Sequence, residues 1–200
     1  YTDIESLRRY SHLFSEDEEV VYLEKVHGAN SRFCYRKDRL WVGSHRQFKK
    51  EDPKSIWWRV AYKHNLGVEL QHLNGITLYG EVYGQVQDLR YGAKNDEVFL
   101  VVFDASHSNG LYISYDELKD LCHSLNLPMA PELYRGPWKG FEHALSYASG
   151  KTLLMSENPH MREGIVVKYT NEKFHQTISR HILKLVSEDY LLRKGGTEYK

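Results

Sequence analysis

Four charged residues sit in stretches whose apolar, β-branched composition leaves little room for charge. Lys25 closes "VVYLEK", Glu81 stands inside "LYGEVYG", and Glu163 and Lys168 flank "GIVV" in "EGIVVK". A charge at a strand position beside a core is costly unless it pairs or serves a site. The four are therefore expected to share one cleft. Lys25 itself reads either as a solvated strand-end lysine or as an amine nucleophile. Glu163 and Lys168 are five residues apart, so strict strand alternation sends them to opposite faces unless Gly164 permits a twist or bulge.

The elements that must position these residues follow from local patterns. "EEVVYLEKV" reads as a strand after the acidic "SEDEE", and "SRFCYRKDRLWVGS" as two strands joined around "RKDR". Ile56, Trp57, Val60, Ala61 and Tyr62 lie on helical spacing, which predicts a helix from Pro53 to about His72, opened by Asp52-Pro53 and punctuated by Gly67 and Gly75. "GITLYGEVYG" predicts a strand broken at Gly80 and Gly84, and "EVFLVVFDAS" a buried central strand. Ser114 and Glu117 form an S-x-x-E capping box before a helix whose face carries Leu118, Leu121 and Leu125. A further helix is predicted over "KGFEHALSYASG", ended by Gly150, and "REGIVVKYT" and "HILKLVSEDYLL" read as strands. The mixed order of strands and helices favours an antiparallel α+β fold.

Composition bounds the rest. The 200 residues, 41% hydrophobic and 27% charged, suit one globular domain with a sizeable core. Twenty-seven basic against twenty-seven acidic residues make the net charge zero, so a phosphate-binding surface must come from local clustering. Cys34 and Cys122 stand far apart without CxxC spacing, which fits a reduced cytoplasmic or nuclear setting. No apolar run approaches the ~18 residues that span a bilayer, and the start is not a signal peptide. The chain opens on Tyr1 rather than Met, which suggests a processed or truncated product, with a neighbouring domain expected to have been left out. The eleven histidines show no HxxxH or HExxH spacing, and there is no GxxxxGK[ST] or GxSxG motif.

In order along the chain, EKVHGAN, LYGEVYG, FLVVFDAS, EGIVVK and LKLVS resemble the nucleotidyl transferase motifs of the covalent lysyl-nucleotide superfamily, which holds ATP-dependent DNA ligases, RNA ligases and mRNA capping enzymes. The KxHG form, with an asparagine two residues after the glycine, is most similar to RNA ligases of the RNA ligase 2 type. DNA ligases and capping enzymes usually carry KxDG. The resemblance spans residues 24 to 187, nearly the whole chain. It implies an α+β, antiparallel-sheet nucleotidyltransferase (adenylation) domain over residues 1–200, acting as a monomer. It also implies ATP as the AMP donor, Mg²⁺ or Mn²⁺ as cofactor, and RNA with 5'-phosphate and 3'-hydroxyl ends as partner.

Residue roles follow from the same resemblance. Lys25 is the nucleophile, flanked by Glu24 and Val26 in the nucleotide-binding set, with Gly28 and Asn30 shaping the pocket. Arg46 resembles a ligand of the AMP ribose or of the incoming end, and Lys49 and Lys50 beside it either contact RNA phosphates or form a solvated basic run. Glu81 is expected to bind ribose hydroxyls or metal-bound water, Phe103 to stack on adenine with Phe99 as the alternative, and Glu163 to act on the metal. Lys168 and Lys184 are expected at the phosphates. A model lysine has a pKa of roughly 10.4, so about one in 10³ is neutral at pH 7. Burial, Lys168, Lys184, Arg46 or a metal ion would each disfavour a charged Lys25.

One departure stands out. The last motif of RNA ligases commonly reads lysine, one residue, lysine, whereas "LKLVS" offers Lys184 and then Val186. Lys184 alone serves the phosphates, or Arg180 or Lys194 substitutes, or a later step is weakened. Self-adenylylation is expected to survive this better than joining. The alternatives are a capping-type guanylyltransferase or DNA ligase, disfavoured by the histidine of KVHG, and a nucleotide- or RNA-binding module without turnover.

Overall fold

The computed structural model describes residues 1–73 and 75–197. In chain order the strands are β1 (Glu5–Ser6), β2 (Glu19–Lys25), β3 (Ala29–Arg36), β4 (Arg39–Gly43), β5 (Thr77–Gly84) and β6 (Val98–Ser106). They continue with β7 (Glu132–Pro137), β8 (Gly164–Tyr169), β9 (Phe174–His175), β10 (Ser179–Arg180) and β11 (Ile182–Val186). The helices are α1 (Leu7–Tyr10), α2 (Ile56–Lys63), α3 (Leu66–Glu69), α4 (Tyr115–Ser124), α5 (Phe141–Ala148) and α6 (Glu188–Leu191). The expected antiparallel α+β architecture is what these elements build.

The chain packs as two units. One comprises Thr2–His27 and Ala130–Gly196, the other Gly28–Met129 with Tyr1 and Thr197. The passage from one to the other falls between His27 and Gly28, inside EKVHGAN.

The first unit holds a five-stranded sheet of order β1-β11-β8-β2-β7, antiparallel except for the short β1 and β11 pair. Alternation sets its faces. Val20 and Tyr22 of β2, Ile165 and Val167 of β8, and Leu183 and Leu185 of β11 join one core with Trp138 and with Ala144 and Ala148 of α5. Val21 and Leu23, on the other face of β2, are also buried, which accounts for its unbroken apolar run.

The second unit holds a four-stranded antiparallel sheet of order β4-β3-β5-β6. Lys37 and Asp38 both take positive φ (50° and 56°), the backbone a two-residue hairpin loop needs to keep the twist of β3 and β4. Phe33, Leu78, Val82, Leu100 and Val102 face a core closed by Trp57, Trp58 and Ala61 of α2 and Leu118 of α4. The capping box forms as expected. Ser114 Oγ accepts from Glu117 N at 3.2 Å, and Glu117 Oε2 accepts from Ser114 N at 2.7 Å. Both cysteines are free and buried.

Three local expectations are corrected. The helix predicted from Pro53 to about His72 is two pieces, α2 and α3, because Asn65 turns left-handed (φ 51°) between them, a conformation asparagine tolerates. β5 runs unbroken through Gly80, and the irregularity lies in β6: Tyr79 pairs with Asp104 and Gly80 with Val102, which leaves Phe103 as the extra, bulged residue, while a Cβ at Gly80 would lie 2.5 Å from the Val101 carbonyl oxygen. The strand expected over "HILKLVSEDYLL" ends at Val186. Ser187 then caps α6, its Oγ accepting from Tyr190 N at 3.2 Å.

Candidate active site

Because Val20, Tyr22, Ile165, Val167, Leu183 and Leu185 point into the core, their neighbours along each strand point the other way. That second face carries Lys25, Lys168 and Lys184. The register fixes their layout in three rows across β2, β8 and β11: Lys25, Gly164 and Val186; then Leu23, Val166 and Lys184; then Val21, Lys168 and Ile182. Lys168 is 2% exposed, a charge nearly removed from solvent. Val186 stands in the row of Lys25, where a second lysine of the last motif would bring its charge.

Glu163 lies just before β8, so strand alternation does not govern it. Its Oε1 is 2.5 Å from Lys25 Nζ. The turn that achieves this depends on Gly164, where a Cβ would come within 2.1 Å of the Leu185 carbonyl oxygen on β11. Ser187 N donates to the Glu163 carbonyl at 2.8 Å, and Ser187 Oγ donates to the Arg162 carbonyl at 3.2 Å. Burial works to raise the Glu163 pKa, but the Lys25 charge and the His27 imidazole prevail and hold it below the ordinary carboxylate value. The direct neighbour of Lys25 is thus a carboxylate.

His27 is buried beside this pair. Its Nδ1 lies 3.7 Å from Glu163 Oε2 and 3.0 Å from Tyr190 Oη. Tyr190 is in turn held from two sides: its carbonyl accepts from Arg193 Nη1 at 2.7 Å, and the Arg193 guanidinium stacks 3.5 Å from its ring centroid. Lys25, Glu163, His27 and Tyr190 form one connected cluster.

Glu24 alternates away from Lys25. Its carboxylate accepts from Thr152 Oγ1 at 2.5 Å and from Leu153 N at 2.9 Å. Burial raises its pKa, partly offset by these bonds and by Arg162. Val26 is buried. Neither Glu24 nor Val26 offers an open polar side chain, so any nucleotide contact by them runs through backbone.

The remaining expected residues belong to the other unit. A Cβ on Gly28 would lie 2.1 Å from the Val82 carbonyl oxygen, which makes glycine a requirement of the close β3 and β5 approach. The Gly28 carbonyl accepts from the Gln87 side chain. Asn30 stands directly opposite Glu81 across β3 and β5. Asn30 Oδ1 is buried without a hydrogen-bond donor among the described residues, while the Asn30 carbonyl accepts from Trp57 Nε1 at 3.0 Å.

Phe103 sits at the β6 bulge, half-buried, with its ring centroid 5.2 Å from that of Tyr1. Phe99 packs instead on Tyr83 at 5.4 Å, under Lys63 Nζ at 4.7 Å. Arg46 is exposed on the turn closed by Ser44 N donating to the Gln47 carbonyl at 2.9 Å.

Reasoning from sequence missed Tyr190, Ser187, Thr152 and Asp104. Asp104 is fully buried and its Oδ2 accepts from Tyr1 Oη at 2.9 Å. A signal existed for two of them: a serine followed by two acidic residues in "SEDY" is a helix start.

The chain is thus of mixed α+β class and sets three lysines on one sheet face, one of them against a buried carboxylate. Residues 18–186 match the RNA ligase family model, and the chain belongs to that family. Among curated proteins none matches it. Among solved structures it is similar to the RNA ligase of Naegleria gruberi. An apo variant of that ligase is 23% identical with a TM-score of 0.82 over 95% of this chain and 56% of the other. The form with PPi is 22% identical (TM-score 0.82), and a variant with AMP and Mn is 20% identical (TM-score 0.81), with the same coverage. The chain thus shares their fold and spans just over half their length.

Proposed function

We propose that this chain is the adenylylating part of an ATP-dependent RNA ligase and that Lys25 carries AMP covalently. The observation that carries this reading is the placement of Lys25 against buried Glu163, with Lys168 and Lys184 on the same sheet face, in a member of the RNA ligase family. The Naegleria ligase is described with ATP and Mn, with AMP and Mn, and with PPi, a set that covers nucleotide donor, adenylate and leaving group.

In the first step the Lys25 amine attacks the α-phosphorus of ATP. A nitrogen–phosphorus bond forms, the bond from that phosphorus to the bridging oxygen breaks, and pyrophosphate leaves with the electron pair. The amine must shed a proton to solvent first. Glu163, held in its ionised form, aims the head group and is too weak a base to take that proton for good. Lys168 and Lys184 supply positive charge as negative charge moves onto the pyrophosphate. In the second step an oxygen of the RNA 5'-phosphate displaces Lys25 from the adenylate. In the third the 3'-hydroxyl attacks the 5'-phosphorus and AMP departs.

The Gly28–Met129 unit, taken by itself, also carries groups that suit a nucleotide. Asn30 Oδ1 is buried with no donor among the described residues and is suited to accept one from a ligand, and Glu81 stands opposite it across the sheet, suited to ribose hydroxyls. Phe103 offers an aromatic face for adenine, and Arg46 an exposed guanidinium for the ribose or the incoming end. No cluster of three or more His, Cys, Asp or Glu side chains suited to a metal occurs among the described residues. A hydrated Mg²⁺ or Mn²⁺ needs only one or two carboxylates beside substrate phosphates, which Glu163 and Glu81 can each supply. Bound there, such an ion would help neutralise the phosphates during transfer.

Incubation with α-labelled ATP or GTP followed by a denaturing gel tests this. Label from ATP alone that survives denaturation and vanishes in Lys25→Ala supports the ligase. Label from GTP would favour a capping-type enzyme. Val186 favours one other reading, a nucleotide-binding module without turnover, which predicts no covalent label from either.

A further inference from the structure

The Gly28–Met129 unit contains an open groove of about 670 Å³ that runs beside β4, the outer strand of its sheet, and is walled by α2 and α3. Four aromatic rings line it: Trp41, Phe48, Trp58 and Tyr62. Phe48 is 46% exposed and Tyr62 49%, so two large rings face solvent within one concavity. Trp41 and Phe48 pack edge to face at 5.3 Å. Arg39 stacks on Trp41 at 3.6 Å and Arg32 on Phe48 at 4.2 Å.

The charge of the groove is lopsided. Arg39, Lys49 and Lys50 line it against one carboxylate, Glu51, which already accepts from Tyr62 Oη at 2.7 Å. The whole chain is neutral, so this local excess is not a by-product of a basic protein. Exposed rings interleaved with cations match the two faces of an unpaired nucleic acid strand: bases that stack and phosphates that need counter-charge. A duplex keeps its bases stacked on each other and would leave the rings unused. We propose that this groove binds an unpaired stretch of RNA, with bases on Phe48 and Tyr62 and phosphates on Arg39, Lys49 and Lys50. The choice of RNA as the strand rests on the ligase reading; the groove itself rests on the rings and charges.

Gly67 gives a clean probe. It lines the groove, and a Cβ added there meets nothing within 4 Å, so a side chain can be introduced without a clash at its root. Binding of a short fluorescent unpaired RNA to the 200-residue chain is measured by anisotropy across salt concentrations. Gly67→Glu is expected to weaken binding about fivefold while Gly67→Lys holds or tightens it. Phe48→Ala is expected to weaken binding by about fivefold or more, and Lys50→Ala to lower the salt slope by about 0.7. The Gly67 and Phe48 variants are expected to keep ATP self-labelling, which shows them folded.

Equal binding by Gly67→Glu and Gly67→Lys, together with unchanged binding by Phe48→Ala, would overturn the proposal. So would a blunt duplex that binds as tightly as the unpaired strand and ignores Phe48. If the unaltered chain takes no label from ATP yet binds RNA in this groove-dependent way, the ligase reading fails and the groove stands.

Discussion

Glu163 is the residue on which the site's electrostatics turn. Its folded pKa is lowered, so the stability it contributes is fully present above the ordinary carboxylate pKa and is lost as pH falls through the lower folded value. Glu24 works with the opposite sign: its folded pKa is raised, so its contribution is present in acid and fades as pH rises through that raised value. Thermal melts against pH are expected to show that Glu163→Gln removes acid-side loss and Glu24→Gln removes loss on the rising side. Curves parallel to wild type would contradict both assignments. Tyr190 makes a second residue-scale prediction. Tyr190→Phe keeps the buried ring but deletes the bond to His27, worth about 1 kcal/mol, and is expected to slow self-labelling by about fivefold at unchanged ATP half-saturation. A fall in ATP affinity with no change in maximal rate would instead place Tyr190 at the nucleotide.

Elements decide what residue types alone left open. The five-residue spacing of Glu163 and Lys168 pointed to opposite faces, yet Glu163 reaches Lys25 because it precedes β8 and because Gly164 lets β8 and β11 close. Gly164→Ala would drive a Cβ into the Leu185 carbonyl, and we expect a loss of about 1–3 kcal/mol in urea denaturation together with weaker labelling. Wild-type stability would show that this approach is not required. Val186 shares the row of Lys25 two strands away, about 10 Å by strand spacing. A charge there is worth about 1–2 kcal/mol at an effective dielectric near 20. Val186→Lys is therefore expected to raise transfer of AMP to RNA several-fold, read as adenylated RNA on a gel; an unchanged yield would mean that Lys184 suffices.

At the scale of the whole molecule, the strands and the capping box were legible because alternation, apolar runs and S-x-x-E are local signals. The candidate site was read from an ordered set of motifs, which no periodicity supplies, and the structure brings Lys25, Lys168 and Lys184 onto one sheet face. What stayed hidden depends on distant chain segments or on single backbone angles. Asn65 splits a helix by one left-handed residue, α6 is one capped turn at a strand's end, and the Tyr190 bond to His27 joins residues 163 positions apart. The division of the chain at His27 and Gly28 was equally silent, since the passage runs through the motif itself. The central proposal for the whole molecule is that Lys25 becomes the covalent carrier of AMP. Its most direct test is mass spectrometry of peptides from the chain after incubation with ATP and a divalent metal. An adenylate on the peptide containing Lys25, absent after pyrophosphate treatment, is the predicted result; an unmodified Lys25, or an adenylate on a different lysine, would contradict it.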